Sequence, residues 1–434
     1  MEQLKKTAQA AIAALQANGA DKAKCDVGYS ITHEFNVDSG EFSLFRTLFD
    51  KHLVLTAIKD GKKGTVRQNR YDDETVVSLA AACLDTAASS VSDPAWDIAP
   101  MTENHDFTFG VVAGDNEKLF ARCRELMTDI ATRYPKILME QMIVTHKEIG
   151  SVHANTNGVL QSEHCGYYSV GLMFSAHEGE KSSSFFSSDF LTDNLDTPFI
   201  DCASVAADLA SVEKQIDTEP LDGKFEGVVL LPPAATNAFL YYALSNFVGD
   251  GALLQGTSPW KDELGKSVAD PAITLSVAPL DDRMVCGDRV TSDGYLSENY
   301  DILRDGVLNQ FAISQYVANK TGLPLAPNGA STGHLILKAG DRSLDEIIAS
   351  IDRGILVGRF SGGNPSSNGD FSGVAKNSFL IENGKITKAL SETMISGNLA
   401  AMMKNLYAIS KETVADGSSV LPYTAFAGIT VSGK

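Results

Sequence analysis

Helical spacing of apolar residues predicts three helices in the first 135 residues of the chain. Apolar positions recur every three or four residues over 4–15, with polar residues between them, as in an amphipathic helix. A second helix starts after Asp72 or Asp73, either of which can cap it. A third starts near Asp115, and the pair Tyr134-Pro135 ends it.

Alternation of apolar and polar residues predicts strands between and after these helices. The sequence Asn157-Gly158 separates two such runs and predicts a tight hairpin. The predicted strands are 43–49, 52–59, 65–69, 142–148, 151–154, 159–163 and 167–174.

A helix over 202–215 is followed by a polar stretch with one proline, 217–223, which predicts a domain boundary near residue 220. The second half has a strand at 227–231, a helix at 234–248, many short strands, and helices near 343–353 and 397–407. These patterns predict an α+β fold: an N-terminal helix-and-strand domain over 1–220, further divisible into 1–110 and 111–220, and a C-terminal domain over 221–434 on a large mixed or antiparallel sheet.

Composition narrows the functional classes. The 434 residues are 44% hydrophobic and 21% charged, as in a folded globular protein, and the net charge of −19 opposes binding to nucleic acid or to an anionic membrane. No apolar run is long enough for a membrane span, so a cytoplasmic location is expected. The six cysteines are scattered, without a CxxC pair, and are expected to be reduced.

Four histidines fall within 32 residues, close to acidic residues and a cysteine. Such enrichment suggests a metal site, but the residues lie on separate predicted strands and form no HxH or HExxH unit. Solvent-facing strand positions are the favoured interpretation, and metal binding stays open as the alternative. The residues are His146, His153, His164 and His177 with Glu148, Glu163, Cys165 and Glu178.

The segment 357–375 contains five glycines and four serines between two strand-like runs. This composition favours a firmly held loop that presents backbone N–H groups to a ligand or a partner. A long hairpin connection is the simpler alternative.

Ordered motifs in the second half resemble the TldD/PmbA family, first described as modulators of DNA gyrase and later recognised as a peptidase system. The weaker likeness in the first half includes Asn155-Thr-Asn-Gly. The strongest motifs are Gly358-Arg-Phe-Ser-Gly-Gly, Asn368-Gly-Asp-Phe-Ser-Gly, Ile381-Glu-Asn-Gly-Lys-Ile and Ile395-Ser-Gly-Asn-Leu.

The resemblance implies one of two branches. TldD-like chains carry an HExxxH zinc motif on a helix, whereas PmbA-like (TldE-like) chains lack it and assemble with a zinc-bearing chain. The matching helix here is 234–248, where Tyr241, Tyr242 and Asn246 occupy the three motif positions. A phenol and an amide are poor zinc ligands, and no glutamate is left to act as a general base. No catalytic residue, metal or cofactor is therefore expected in this chain.

The predicted function is that of a non-catalytic, PmbA-like subunit in a cytoplasmic metallopeptidase assembly that matures or degrades peptides. The predicted partners are a TldD-like zinc-bearing subunit or a second copy of this chain, with a peptide or unfolded protein as substrate. The segment 357–375 is expected near the substrate or the subunit interface, through Arg359, Ser361, Gly362, Gly363, Asn364, Gly369, Asp370, Phe371 and Ser372.

Two alternatives remain open. In the first, the chain is a self-sufficient peptidase whose metal is held by some of His146, His153, His164 and Cys165. In the second, it is a regulator that binds gyrase or another protein without proteolysis.

Overall fold

The computed structural model describes residues 1–391 and 393–433. About 24% of the chain is helical and 42% is in strands, which confirms the α+β class. The first sheet is built from β1 Lys22–Asp38, β2 Glu41–Lys59, β3 Lys62–Gln68, β4 Asp106–Gly110, β5 Ile137–Asn155, β6 Leu160–Glu178, β7 Lys181–Ser182 and β8 Phe186–Thr192. Its helices are α1 Glu2–Ala17, α2 Asp73–Ala88, α3 Asn116–Arg133 and α4 Val205–Glu213, with a 3-10 turn at Phe199–Asp201.

The second half carries five further helices among the described residues. They are α5 Pro233–Phe247, α6 Asp250–Leu254, α7 Gln315–Thr321, α8 Leu344–Ser350 and α9 Leu399–Lys404. Its strands are β9 Glu219–Pro220, β10 Lys224–Leu231, β11 Leu275–Val277, β12 Tyr300–Arg304, β13 Val307–Leu308, β14 Leu335–Leu337, β15 Arg353–Gly362, β16 Asp370–Glu382, β17 Lys385–Ser391, β18 Met394–Asn398, β19 Leu406–Ala415 and β20 Val420–Ser432.

Each half of the chain has its own sheet. The first follows the order β3-β2-β1-β5-β6-β4, with β7 and β8 also paired to β6. The second follows β13-β12-β11-β14-β20-β10-β15-β16-β17-β9, with β18 and β19 attached to β20. The pairs β10–β15 and β14–β20 are parallel among mostly antiparallel pairs, so the second sheet is mixed, as predicted.

The capping residues and the hairpin signal lie where the sequence placed them. Asp72 caps α2 by accepting a hydrogen bond from the backbone N–H of Thr75 at 3.0 Å, and Asp115 caps α3 in the same way. Gly158 has a φ of 96°, in the left-handed region, and turns β5 into β6.

The predicted strands were too short, because glycines and polar residues inside them were interpreted as breaks. In the structure β5 is one strand of 19 residues that runs through Gly150. A Cβ atom at Gly150 would lie 2.5 Å from the ring of Tyr29, so this glycine makes room for a neighbouring side chain and does not end the strand.

The sheets pack against helices over separate apolar cores. One core joins α1 and α2 to the first sheet through Leu15, Val27 and Leu55, and the largest core surrounds α5 in the second half. Among the described residues, no helix combines the length and the apolar character that a membrane crossing requires. The boundary near residue 220 stays a prediction.

Candidate functional site

The helix α5 carries the three positions that the family resemblance aligns with a zinc motif. It follows β10 directly, and the pair Pro232-Pro233 sets its start. One face of the helix is buried in the largest core through Phe239, Leu240, Ala243, Leu244 and Phe247.

The motif positions themselves do not form a metal site. The ring of Tyr241 is exposed and meets the ring of Tyr242 edge-on, with centroids 6.1 Å apart, and Asn246 lies one turn further along. Positions 241 and 246 lie about 140° apart around an ideal helix. Neither the phenols nor the amide suit Zn²⁺, and the sequence of α5 contains no glutamate. The residues present do not fit the zinc of an HExxxH site.

Aromatic packing connects this helix to the motif-rich segment. The ring of Phe360 lies 5.3 Å from that of Phe239 and 6.4 Å from that of Tyr242, measured between centroids. Phe371 lies 5.3 Å from Phe239 and completes the cluster. The segment therefore packs on α5 from the side of Tyr242.

The prediction of a long Gly/Ser loop over 357–375 is wrong. Most of that segment forms the antiparallel strands β15 and β16, and only the residues between Gly362 and Asp370 connect them. Gly362 and Gly373 face each other, and a Cβ atom on either would come within 2.8 Å of the ring of Phe360. These glycines make room for an aromatic ring within a pair of strands, and they do not belong to a flexible loop.

The nine candidate residues of this segment accordingly have different environments. Phe371 is buried in the aromatic cluster, whereas the connection between the strands is exposed at several positions. Arg359, Ser361 and Gly362 lie on β15; Asp370, Phe371 and Ser372 lie on β16; Gly363, Asn364 and Gly369 lie in the connection.

Polar side chains of the connection stabilise its own turn. Asp370 accepts hydrogen bonds from the amide groups of Asn398 at 2.8 Å and Asn368 at 2.9 Å. These two bonds, in that order of importance, lower the pKa of Asp370. Asn398 also caps α9, so the turn is fixed to the start of that helix.

Arg359 contacts the first half of the chain. Its guanidinium lies 4.2 Å from the centre of the Phe185 ring, and burial lowers its pKa. Within the described parts of the chain its Nε atom is buried without a hydrogen-bond partner. The residue lies at a junction of the two halves.

The favoured prediction of solvent-facing strand positions is correct for His177, which is exposed, and His164 is half-buried. It is wrong for His146 and His153, which are buried at 3% and 7% exposure. Nε2 of His146 donates to the carbonyl of Val111 at 2.7 Å, and Nδ1 of His153 lies 2.5 Å from Asp26. The alternation of apolar and polar residues did not show that these histidines lie inside the protein beside polar partners.

The alternative metal site is not assembled either. His153 is on the face of the first sheet opposite His146 and His164, because residues an odd number apart on one strand point to opposite sides. His164 instead pairs with Glu148 at 2.8 Å, and His177 with Ser175 at 2.8 Å. In residues 1–391 and 393–433 no three His, Cys, Asp or Glu side chains converge as metal ligands.

Cys165 is equally unsuited to that role. A hydrogen bond with the Cys286 thiol and burial both raise the pKa of Cys165, so its sulfur keeps its proton, whereas zinc binds the thiolate. The cysteines of the described chain are free, as predicted.

A recess at the start of α5 was missed by the sequence reasoning. Its volume is about 340 Å³, and it lies between Pro233 and Asn237 of α5 and the acidic residues Asp189, Asp208 and Asp416. These carboxylates come from β8, α4 and the turn after β19, so no local sequence motif predicts that they lie close together.

Burial raises the pKa of Asp208 to about 6, although the hydroxyl groups of Ser204 and Ser188 donate to it at 2.7 and 2.8 Å. The folded chain thus holds this proton more tightly than the unfolded chain. The protonated Asp208 therefore adds to the free energy of unfolding. This contribution is fully present below the unfolded pKa of 3.8 and is lost as the pH rises through the folded pKa of about 6.

We expect Asp208→Asn to be more stable than the wild type at about pH 7.5, by about 1–3 kcal/mol, and equally stable near pH 4. The amide keeps an oxygen for both serine hydroxyls but carries no buried charge. Urea unfolding at the two pH values measures the difference. The exposed Asp222→Asn variant is the control, and an equal gain in that variant would contradict the assignment to Asp208.

Comparisons with known proteins agree with this architecture. Residues 225–433 match the model of the PmbA/TldA metallopeptidase C-terminal domain. The second half of the chain is therefore a C-terminal domain of the PmbA/TldA metallopeptidase type. The match includes α5 and both strands of the motif-rich segment.

The likeness to known proteins extends beyond this domain. Metalloprotease PmbA of Escherichia coli O157:H7 is 23% identical over 398 residues, which are 87% of this chain and 86% of that protein. A metalloprotease of Methanothermobacter thermautotrophicus is 28% identical over 213 residues, 44% of each chain. The crystal structure of TldE from Thermococcus kodakarensis superposes with a TM-score of 0.84 at 17% identity, covering 98% of this chain and all of that one. The fold of the TldE structure therefore covers both halves of this chain.

Proposed function

We propose that this chain is a PmbA/TldD-family protein and a non-catalytic subunit of a metallopeptidase assembly. The observation that carries the proposal is the set Tyr241, Tyr242 and Asn246 on α5, where a zinc motif would need two imidazoles and a carboxylate. A chain without these groups has no means at this helix to lower the pKa of a water molecule or to accept its proton.

The name of the E. coli relative, metalloprotease, favours the alternative of a self-sufficient peptidase. The structure supplies no ligand set for it among the described residues, since the histidines form separate pairs. The solved relative named TldE has the same fold, which fits a chain of the PmbA-like branch. We assign the assembly to the cytoplasm, because the chain carries a net charge of −19 and scattered free cysteines.

The outer half of β2 is the surface through which we expect a companion subunit to bind. β3 pairs with β2 only from Leu53 onward, so residues 41–52 of β2 have one strand neighbour, β1, among the described residues. The side chains of this free edge are apolar on both faces: Leu44, Phe45, Leu48 and Phe49 are 37%, 53%, 37% and 72% exposed. An unpaired apolar edge favours pairing with another chain.

A peptide substrate would pair with β15. The hydrogen bonds of β15 with β10 reach only Leu356, so residues 358–362 have β16 as their one strand neighbour in the described chain. An extended peptide added at this edge would lie beside Phe360 and Tyr242, and thus beside α5. This edge replaces the loop that the sequence suggested.

A cleavage assay with a zinc-bearing HExxxH companion from the same organism tests the proposal. We expect addition of this chain to raise the companion's turnover of an unfolded protein by about tenfold or more, because the added subunit completes the substrate passage. If the companion's turnover stays unchanged at a saturating concentration of this chain, the result contradicts the proposal and favours the non-proteolytic regulator.

A further inference from the structure

One face of the first sheet is turned away from its helices and forms an open groove. Cys25, Val27 and Leu55 point toward α1 and α2, so the even-numbered residues of β1 point to the other side. Residues opposite these positions share that face: Asp50 and Ile149 face Ser30, His52 faces Gly28, and Lys147 faces Thr32. The groove they line has a volume of about 710 Å³.

The groove is long in the direction of the strands. Arg67 pairs with Val54, which pairs with Asp26, whereas Lys147 pairs with Thr32. Six residues of β1 separate these two rows, which corresponds to about 20 Å at about 3.3 Å per residue. A ligand that contacts both cations is therefore extended, with a length of about six residues of peptide in a strand conformation.

The cations of this groove have no acidic partners. Arg67 and Lys147 lie on this face, and neither has a carboxylate oxygen within 4.0 Å in the parts of the chain that the structure describes. Lys51 also borders the groove but pairs with Tyr29, so its side chain points to the helix side, where its ammonium lies 5.1 Å from the centre of the Tyr71 ring. Other cations of this acidic chain form ion pairs, as in Arg46–Glu34 and Lys118–Asp196. Burial and the charge of Arg67 lower the pKa of His52, so the imidazole is neutral and the positive charge of the groove belongs to Arg67 and Lys147.

Neutral hydrogen-bonding groups lie between these charges. Ser30 and Asn69 line the groove and offer donors and acceptors that match a peptide backbone. Asp50 is the one carboxylate among the lining residues of the groove, and Asp26 and Glu163 lie in a smaller recess that shares His52 with it. These acids keep an anionic ligand out of the recess and in the groove beside Lys147 and Arg67.

We propose that this groove binds an extended acidic segment of a peptide chain. Carboxylate side chains of the segment pair with Arg67 and Lys147, and its backbone bonds to the neutral groups between them. A nucleic-acid strand is the disfavoured occupant, because two cations are too few to hold a continuous phosphate backbone on a chain whose net charge of −19 repels it. The proposal requires neither proteolysis nor a companion subunit and so goes beyond the proposed function.

Fluorescence anisotropy with labelled peptides of about eight residues tests it, since that length exceeds the about six residues of the groove. The full chain is titrated against alternating Glu/Ser, Gln/Ser and Lys/Ser peptides and against oligothymidylate, at about 0.05 M and 0.5 M salt. We expect the Glu/Ser peptide to bind most tightly and to weaken at high salt.

The double variant Arg67→Glu/Lys147→Glu should weaken binding of the Glu/Ser peptide by about tenfold or more. The matched control is Arg124→Glu/Lys261→Glu, which changes the net charge equally at exposed sites away from the groove and should leave binding within about twofold. If the charge reversal fails to fold, judged by its thermal melt, Arg67→Gln/Lys147→Gln takes its place. Equal losses in the groove and control variants, or tighter binding of the oligothymidylate, would overturn the proposal.

Discussion

Replacing Gly369 by valine is expected to lower the free energy of unfolding by roughly 3–5 kcal/mol. Gly369 has a φ of 92°, which a β-branched residue adopts only with strain of about 1–3 kcal/mol. Its Cβ would also lie 2.8 Å from Cζ of Phe247, a fully buried ring on α5 that cannot move into open space. Guanidinium chloride unfolding followed by circular dichroism measures the loss.

Gly363 is the matched control for this prediction. It lies in the same connection, but a Cβ atom there would meet no heavy atom within 4 Å, and its φ is outside the left-handed region. We expect Gly363→Val to change stability by no more than about 0.5 kcal/mol. Similar losses in the two variants would show that the connection tolerates no side chain anywhere, against the packing described here.

The double substitution Phe45→Lys/Phe49→Lys on β2 is expected to weaken binding of the companion subunit by roughly a hundredfold or more. Exposed aromatic residues at the centre of an interface contribute about 2 kcal/mol each, and lysine on a strand edge opposes pairing with another strand. Sedimentation velocity of the mixed chains measures the association, and the same experiment on this chain alone reports whether it pairs with a second copy.

Val77 and Val91 provide the control for this surface. They are 62% and 86% exposed, so Val77→Lys/Val91→Lys makes the same chemical change in and just after α2. That variant should associate like the wild type. Full association by the Phe45/Phe49 variant would exclude the β2 edge as the interface.

Local signals in the sequence predicted the parts of the fold that depend on local contacts. Asp72 and Asp115 cap helices through bonds that span three residues, and Asn157-Gly158 closes its hairpin through its own backbone. The mixed second sheet was also predicted, although its strand order was not, because the pairing of β10 with β15 and β20 joins residues far apart in sequence.

Long-range packing explains what the sequence reasoning missed. The glycines of 357–375 were interpreted as a flexible loop, because nothing local shows that the ring of Phe360 lies over Gly362 and Gly373. The burial of His153 depends on Asp26, a residue 127 positions away. The cations Arg67 and Lys147 meet in one groove only because β1 and β2 lie between their strands.

The helix that carries Tyr241, Tyr242 and Asn246 was, by contrast, predicted from its own sequence. The three residues lie on α5 as expected, and that they replace a zinc motif stays a prediction. The ability of a side chain to bind a metal follows from the residue type, so it can be judged without knowing which distant residues it contacts.

Peptide cleavage by the purified chain alone, with and without added Zn²⁺, tests the central claim most directly. The account predicts turnover no greater than that of the buffer, with no gain from the metal, and activity that appears only with the HExxxH companion. Sustained turnover by the chain alone that requires Zn²⁺ and is unaffected by removing traces of companion would contradict it.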